Sequence, residues 1–183
     1  NDLTGQIIHQ VEEMRQMLNE FSDFARMPAA KFDVVDLKEL LDEIIMLEKE
    51  ARTHIHFTTD VPDEEMHIEA DTGHLRRMFI NLIENAVNAI EEHNEKNSQG
   101  EIKVVVFKSQ SGKITIVIED NGKGFSESVD LEKLFDPYVT TRKKGTGLGL
   151  AIVRKVVDEH KGQIRLYRAD SGGARVEITL PQA

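Results

Sequence analysis

The sequence predicts an α+β protein: a two-layer α/β sandwich with helices on one face of a mixed sheet, preceded by a long bundle helix. Two segments, 72–93 and 148–160, have the apolar spacing of amphipathic helices. Strand-like segments surround them, and short glycine-containing turns at 111–112 and 171–173 join two pairs of these segments into hairpins. Helices and antiparallel hairpins segregated in this way are typical of an α+β layer architecture.

The first predicted element is a helix over residues 4–27. Its apolar residues recur at alternating spacings of 4 and 3, which is the heptad pattern of helix bundles and coiled coils. One helix cannot bury such a face alone, so we expect it to pack on another helix, on a second copy of the chain, or on the rest of the chain. Pro28 ends the pattern, and a chain that starts inside it is interpreted as a fragment. The seam consists of Ile7, Val11, Met14, Leu18, Phe21 and Ala25.

Local signals place the remaining elements. A short linker is predicted over 28–35, followed by a helix over 36–51 with Asp36 as its N-cap. Pro62 and Asp63 mark a turn between two strands. The other predicted elements are strands over 54–59, 67–69, 101–108, 113–120, 163–169 and 174–180, and a helical turn from Val129 to Phe135.

Charge and composition exclude some classes of function. The chain has 183 residues and a formal net charge of −10. A general nucleic-acid binder needs basic surface to displace counterions, so this charge argues against that class. The chain has no cysteine, which excludes a disulfide framework and a thiolate metal site. No apolar run approaches the roughly 20 residues that span a bilayer.

An asparagine-bearing helix precedes two glycine-rich segments. Asn81, Asn85 and Asn88 fall on one stripe of the helix predicted over 72–93, next to its apolar stripe. An amide at the rim of a core offers an oxygen to Mg²⁺ and an NH₂ group to a phosphate. The alternative is that these asparagines are solvated side chains on the flank of a helix.

The first glycine segment, 120–124, follows a strand with a buried face. Asp120 ends this strand, and its carboxylate is costly to bury unless a group such as an adenine amino group pairs with it. Gly122 and Gly124 would let the backbone come close to the base. The alternative is a simple turn, because Asp-Asn-Gly is common after a strand.

The second glycine segment, 145–150, opens the helix predicted over 148–160. Free backbone N–H groups and the helix dipole favour a phosphate at such an end. Arg142, Lys143 and Lys144 flank the segment, either as phosphate-binding cations or as a solvated loop. The segment is not a Walker-type P-loop, because the chain contains no GxxxxGK[ST] pattern.

Together these segments resemble the GHKL ATPase superfamily and, within it, the sensor histidine kinases. The segment 81–88 resembles the N box of that family, 120–124 and 145–150 resemble its glycine boxes, and 134–142 resembles the F box of its ATP lid. The resemblance implies a Bergerat-type ATP-binding fold with ATP and Mg²⁺ as cofactors. A last glycine segment, 172–174, matches the family loosely and is assigned no ligand role.

The resemblance implies roles for individual residues. Asn85 is expected to bind Mg²⁺ and Asp120 to recognise adenine, while Phe135 and Tyr138 are expected to be apolar anchors of the lid. One of the lid cations is expected to reach the terminal phosphates. The other nucleotide-binding candidates are Asn88, Gly122, Gly124, Thr141, Gly145, Thr146, Gly147, Leu148, Gly149 and Leu150, and the catalytic candidates are Asn81, Glu84, Arg142, Lys143 and Lys144.

Asn81 distinguishes this sequence from the ATP-hydrolysing branch of the superfamily. The gyrases and heat-shock chaperones carry a glutamate four residues before the metal-binding asparagine, as a general base for water. Asn81 stands at that position and cannot take a proton, and Glu84 lies further round the helix. The sequence therefore favours phosphoryl transfer to a side chain over hydrolysis.

The histidines of the chain do not fit the phosphoacceptor motif of the family. The segment 21–28 instead resembles the end of the second dimerisation helix in nitrogen-sensor kinases of the NtrY type. We therefore expect residues 1–28 to belong to the dimerisation and phosphoacceptor domain, and residues 29–183 to form the catalytic ATP-binding domain. The acceptor histidine would lie upstream of this chain.

The implied activity is transfer of the γ-phosphoryl group of ATP to that histidine, for relay to the aspartate of a response-regulator receiver domain. The implied partners are this receiver domain and a second copy of the chain, without nucleic acid or direct membrane contact. The fragment is expected to be cytoplasmic, and its parent to be anchored in the inner membrane. Two alternatives stay open: a serine kinase of the anti-sigma-factor type, against which the heptad helix argues, and a nucleotide-gated interaction module without kinase activity.

Overall fold

Within the described residues, three α-helices pack on a five-stranded sheet, which confirms the predicted fold class. The helices are α1 (Leu37–Ala51), α2 (Thr72–His93) and α3 (Gly149–Glu159). The strands are β1 (Asp33–Asp36), β2 (Ile55–Asp60), β3 (His67–Ala70), β4 (Gly100–Lys108), β5 (Lys113–Asp120), β6 (Gln163–Arg168) and β7 (Ala174–Pro181). The computed structural model describes residues 27–93, 99–109, 112–142, 145–170 and 172–182, with single positions between 5 and 22.

The large sheet has the strand order β2-β4-β5-β7-β6. β2 runs parallel to β4, and the other neighbours are antiparallel, so both predicted hairpins, β4–β5 and β6–β7, are present. The central strand β5 carries Ile114, Ile116 and Ile118, all of which are buried in the core against the helices. The last residue of this strand, Asp120, therefore emerges directly from the core.

Helix α1 begins where the sequence predicted. One carboxylate oxygen of Asp36 accepts hydrogen bonds from the backbone N–H groups of Lys38 (2.9 Å) and Glu39 (3.3 Å), which confirms Asp36 as the N-cap. The predicted apolar face of this helix is buried against the rest of the core. That face consists of Leu37, Leu40, Leu41, Ile44 and Ile45.

One prediction about the early part of the chain is wrong. The segment 28–35 is not only a linker, because it contains the start of β1, which pairs antiparallel with β3 in a separate two-stranded sheet. The turn at 62–63 therefore joins strands of different sheets. The error has a physical cause: β1 is short, and it pairs with a strand about 35 residues away, which no local pattern reveals.

The segment before β1 contacts the residues that flank α2 and α3. The backbone N–H of Lys31 donates to Oδ2 of Asp71 (2.8 Å), the residue before α2. The backbone N–H of Asp71 donates to Nε2 of His160 (3.0 Å), the residue after α3, and the ring of Phe32 lies 5.0 Å from that of His160. Residues 31 and 32 are thereby fixed to the start of one helix and the end of the other.

The predicted bundle helix over 4–27 lies mostly outside the described residues and stays a prediction. The positions that are described there are helical, and apolar ones such as Val11 and Leu18 are exposed. Among the described residues, no helix combines the length and the apolar character needed to cross a membrane.

Candidate functional site

A cleft lies between α2, the end of β5, the segments 139–142 and 145–147, and the start of α3. The space within it, together with the open solvent at its mouth, amounts to about 1180 Å³. Both glycine segments and the asparagine stripe contribute to it. The residues that line it are Asn81, Leu82, Glu84, Asn85, Ala86, Asn88, Ala89, Ile118, Asp120, Lys123, Gly124, Phe125, Leu134, Val139, Thr140, Thr141, Arg142, Gly145, Thr146, Gly147, Gly149, Leu150, Leu166, Ala174 and Val176.

The asparagines of α2 form one wall of this cleft. The side-chain amide of Asn81 donates to the backbone oxygen of Arg77 (2.8 Å), and that of Asn88 donates to the backbone oxygen of Glu84 (2.6 Å). Since their NH₂ groups bond to the helix itself, the oxygen is the group that each amide offers to the cleft. Glu84 also lines the cleft, although the helical spacing had placed it further round α2.

The side-chain oxygen of Asn85 binds the guanidinium group of Arg142. Its Oδ1 atom accepts a hydrogen bond of 3.1 Å from Nη1 of Arg142, which belongs to the segment after β5. An amide oxygen that accepts from a guanidinium is a hard, partly negative ligand that points into the cleft. This contact is the observation that fits Asn85 to Mg²⁺, because Mg²⁺ binds such oxygens together with phosphates and water.

Asp120 forms the floor of the cleft. Its side chain is 6% exposed, and its Oδ1 atom accepts from the backbone N–H groups of Gly122 (2.9 Å) and Ala174 (3.3 Å). Burial raises the pKa of this carboxyl to about 6, although the two backbone hydrogen bonds act in the opposite direction. Because the backbone bonds use Oδ1, Oδ2 is the oxygen suited to a ligand amino group.

The loosely matching glycine segment near 172 is part of the site, contrary to expectation. A Cβ atom at Gly173 would lie 1.8 Å from the backbone oxygen of Asp120. Only glycine therefore allows β7 to start so close to the aspartate, and this approach brings the N–H of Ala174 to the carboxylate. The paired glycines before β7 were the sequence signal for this contact.

Several predicted residues do not line the cleft. Gly122 faces α2, where an added Cβ would lie 2.5 Å from the backbone carbon of Ala89, so it serves helix packing rather than approach to a base. Leu148 is fully buried in the core, and Phe135 is buried beneath the guanidinium of Arg154, at 5.4 Å. Neither Leu148 nor Phe135 is among the residues that line the cleft.

Tyr138, which was predicted to be an apolar anchor of the lid, has a mostly exposed side chain. Its side chain is 60% exposed, and its backbone has a φ of 68°. Its contribution is made by the main chain, because its N–H donates to the backbone oxygen of Gly147 (3.0 Å). Gly147 itself has a φ of 71°, and a Cβ there would lie 2.5 Å from the carbonyl carbon of Tyr138. The two segments of the lid therefore meet through their backbones.

The start of α3 lies against the asparagine wall. A Cβ at Gly149 would lie 3.2 Å from Oδ1 of Asn81 and 3.8 Å from Oδ1 of Asn85. The N-terminal N–H groups of this helix therefore border the cleft, as the sequence predicted for a phosphate-binding end. Thr141, Gly145, Thr146 and Leu150 lie in the cleft as well, whereas Lys143 and Lys144 lie outside the described residues.

Sequence reasoning missed Lys123, Phe125 and Glu92. Lys123 and Phe125 line the cleft, and Nζ of Lys123 forms an ion pair with Glu92 on the last turn of α2. The signal for Lys123 was its place inside the first glycine segment, where only the glycines and Asp120 had been assigned roles. The cations in the described lining of the cleft are thus Lys123 and Arg142.

Comparison with known proteins identifies this arrangement. The family described as histidine kinase-, DNA gyrase B-, and HSP90-like ATPase matches residues 70–183, which contain every residue that lines the cleft. The nitrogen regulation protein NtrY of Azorhizobium caulinodans is 38% identical over 179 residues, which cover 97% of this chain and 23% of NtrY. The chain thus spans about a quarter of the length of that relative.

Solved structures agree with this match. The catalytic domain of the histidine kinase ThkA is 30% identical, with a TM-score of 0.71 over 83% of this chain and 96% of that domain. The histidine kinase ThkA in complex with the response regulator protein TrrA has the same fold, with a TM-score of 0.79 at 24% identity, over 100% of this chain and 51% of the kinase. The cleft, its asparagine wall and its glycine segments therefore place this chain in the family of histidine kinase-, DNA gyrase B- and HSP90-like ATPases, with sensor histidine kinases of the NtrY type among its relatives.

Proposed function

We propose that this chain is the ATP-binding catalytic part of a sensor histidine kinase. In this proposal it transfers the γ-phosphoryl group of ATP to a histidine on a dimerisation helix upstream of the cleft. The observation that carries the proposal is the amide at position 81. Asn81 lies on the cleft wall beside the start of α3. The resemblance places a water-activating glutamate at this position in the ATP-hydrolysing members of the superfamily, and an amide cannot replace it as a base.

Different residues of the cleft would bind the base and the phosphates of the nucleotide. Asp120, at the closed end, would accept a hydrogen bond from the adenine amino group through Oδ2. The N–H groups at the start of α3, with Arg142, would bind the phosphates, because helix N-termini and cations stabilise negative charge. Asn85 would hold Mg²⁺ through Oδ1, and the ion, when bound, neutralises charge on the phosphate oxygens.

The partners and the location of the parent protein belong to the same proposal. ThkA is bound to the response regulator TrrA in one structural neighbour, which supports a receiver-domain aspartate as the next acceptor of the phosphoryl group. The heptad seam predicted over 4–27 supports a homodimer through residues 1–28, with residues 29–183 as the catalytic domain. A cytoplasmic cleft in a parent protein anchored in the inner membrane completes this proposal.

The test is phosphate incorporation from γ-labelled ATP with Mg²⁺ into the parent protein, with this chain alone as the control. We expect acid-labile, base-stable label on the parent, and loss of that label on Asn85→Ala. Adenosine binding and thermal unfolding of Asn85→Ala should match the unsubstituted protein, which separates loss of transfer from loss of fold. ATP binding without any label on the parent would instead favour a nucleotide-gated interaction module, and alkali-labile, acid-stable label would favour a serine kinase.

A further inference from the structure

One carboxylate holds both cations in the described lining of the cleft. Oε2 of Glu92 forms an ion pair with Nζ of Lys123, and Oε1 of Glu92 lies 3.6 Å from Nε of Arg142. Glu92 belongs to α2, Lys123 to the first glycine segment and Arg142 to the lid. Three separate walls of the cleft are therefore connected through a single side chain.

The position of Arg142 depends on two anchors. Nη1 of its guanidinium donates to Oδ1 of Asn85, and Nε faces Glu92. The Nε atom is buried and has no hydrogen-bond partner among the described residues, so the carboxylate of Glu92 is its compensating charge there. Without the carboxylate of Glu92, the guanidinium would keep its hydrogen bond to Asn85. It would lose the negative charge that attracts it towards the end of α2.

The charge of Glu92 has the same sign as a polyphosphate. Both attract Lys123 and Arg142, so the carboxylate and a bound polyphosphate compete for these two cations. The side chains of the three residues are 25 to 36% exposed. Ion pairs with this degree of exposure are weak, so phosphate groups in the cleft are able to displace the carboxylate.

We propose that Glu92 is a positioning residue that holds Lys123 and Arg142 in the cleft until phosphate groups replace it. Glu92 thereby sets the affinity of the cleft for the polyphosphate of a nucleotide and not for its base. The inference rests on the proposed nucleotide-binding function and adds two features to it: Lys123 as a polyphosphate ligand, and an internal anion that must be displaced.

The experiment compares Mg·ATP and adenosine as ligands of Glu92→Gln, by calorimetric titration. Removal of the competing carboxylate should lower the Kd for Mg·ATP about three- to fivefold, as expected for loss of an exposed ion pair. The Kd for adenosine should stay unchanged, because adenosine has no phosphate. A purely structural role of Glu92 would shift both ligands together.

The matched control is Glu91→Gln. Glu91 lies one residue earlier on the same helix turn, and its Oε1 atom lies 3.3 Å from Nε2 of His54, outside the cleft lining. The same change in net charge should leave the Kd for Mg·ATP unchanged there. An equal gain in Glu91→Gln would show general charge repulsion and overturn the inference.

A second variant tests the part played by Lys123. Introduced together with Lys123→Met, the substitution Glu92→Gln should give a smaller gain in Mg·ATP affinity than it gives alone, because one of the two contested cations is missing. An undiminished gain would contradict a role for Lys123. If the unsubstituted chain binds Mg·ATP but Glu92→Gln binds it equally or more weakly, only this inference fails; if the unsubstituted chain does not bind Mg·ATP, the proposed function fails as well.

Discussion

Arg142 of the lid rests on Asn85 of the helix wall, through a hydrogen bond of 3.1 Å from Nη1 to Oδ1. The lid and the helix are thereby connected across the cleft by one of the three candidate phosphate-binding cations and the expected Mg²⁺ ligand. The guanidinium and a metal ion would need the same amide oxygen. Binding of Mg·ATP at this site therefore requires Arg142 to exchange Asn85 for another acceptor, and the phosphate oxygens are the acceptors at hand.

Replacement of Arg142 by methionine should accordingly affect ATP and adenosine differently. We expect the Kd for Mg·ATP to rise about tenfold, because a charge-assisted hydrogen bond to phosphate is lost, and the Kd for adenosine to stay the same. Calorimetric titration with both ligands checks this. A rise in both constants would mean that Arg142 supports the fold of the lid rather than the phosphates.

Binding of adenine should weaken in acid, because of Asp120. Burial raises the pKa of this carboxyl to about 6. Since Oδ1 accepts from the N–H groups of Gly122 and Ala174, a proton on Oδ2 would turn the acceptor of the adenine amino group into a donor. The affinity for adenosine should therefore be constant above pH 7 and fall as the pH drops through 6, by up to about tenfold at pH 5. Titration of adenosine across this range measures it, and Asp120→Asn should bind weakly at every pH.

The same carboxyl should affect stability with the opposite trend. Its pKa is raised in the folded protein from the ordinary value of 3.8, so the folded state binds a proton at a higher pH than the unfolded state does. The contribution of Asp120 to the free energy of unfolding should therefore increase as the pH falls from 6 towards 4, and should vanish above that window. Urea unfolding of the original chain and of Asp120→Asn, at several pH values, isolates the contribution of Asp120 to the free energy of unfolding.

Gly173→Ala should damage the base end of the cleft. An added Cβ would collide with the backbone oxygen of Asp120, so β7 must move and its contact to the carboxylate is lost. We expect a loss of about 1 to 3 kcal/mol in the free energy of unfolding, together with weaker adenosine binding. Gly5→Ala is the control, because a Cβ there meets no atom of the described residues within 4 Å; a Gly173 variant as stable as this control would contradict the close packing.

Alanine substitutions of Leu148 and Leu150 should distinguish a core residue from a residue of the cleft. Leu148 is fully buried in the core, so Leu148→Ala should cost about 2 to 5 kcal/mol of unfolding free energy. Leu150 is half-buried and lines the cleft, so Leu150→Ala should cost less stability and raise the Kd for adenosine more. Denaturant unfolding and ligand titration on both variants check the contrast, and the reverse order of effects would reassign the two residues.

Much of the fold was predictable because its signals are local. The cap at Asp36 and the aspartate at the end of β5 follow from residue types within a few positions of each other. The pairing of β1 with β3 was not predictable, since it depends on a distant partner. The fully buried Leu148 shows the same limit, because a residue inside a glycine box need not face the ligand.

The site shows the same division between local and distant contacts. The asparagine wall and the glycine segments were found from their spacing, and the cleft brings them together. The packing of Gly122 on α2, the approach of Gly173 to Asp120 and the exposure of Tyr138 depend on tertiary contacts. The ion pairs of Glu92 are equally invisible in sequence, because the residues that meet there are 31 and 50 positions apart.

The contacts of Lys31 and Phe32 connect the chain before β1 to two helices of the cleft. Asp71 stands at the first turn of the helix that carries the asparagines, and His160 stands at the end of the helix that opens beside the phosphates. A displacement of residues 31 and 32 would therefore act at one end of α2 and one end of α3. The ligand-facing groups lie 10 residues or more further along these helices. Residues 31 and 32 therefore contact the ends of the two helices that form walls of the cleft, and these contacts do not involve the large sheet.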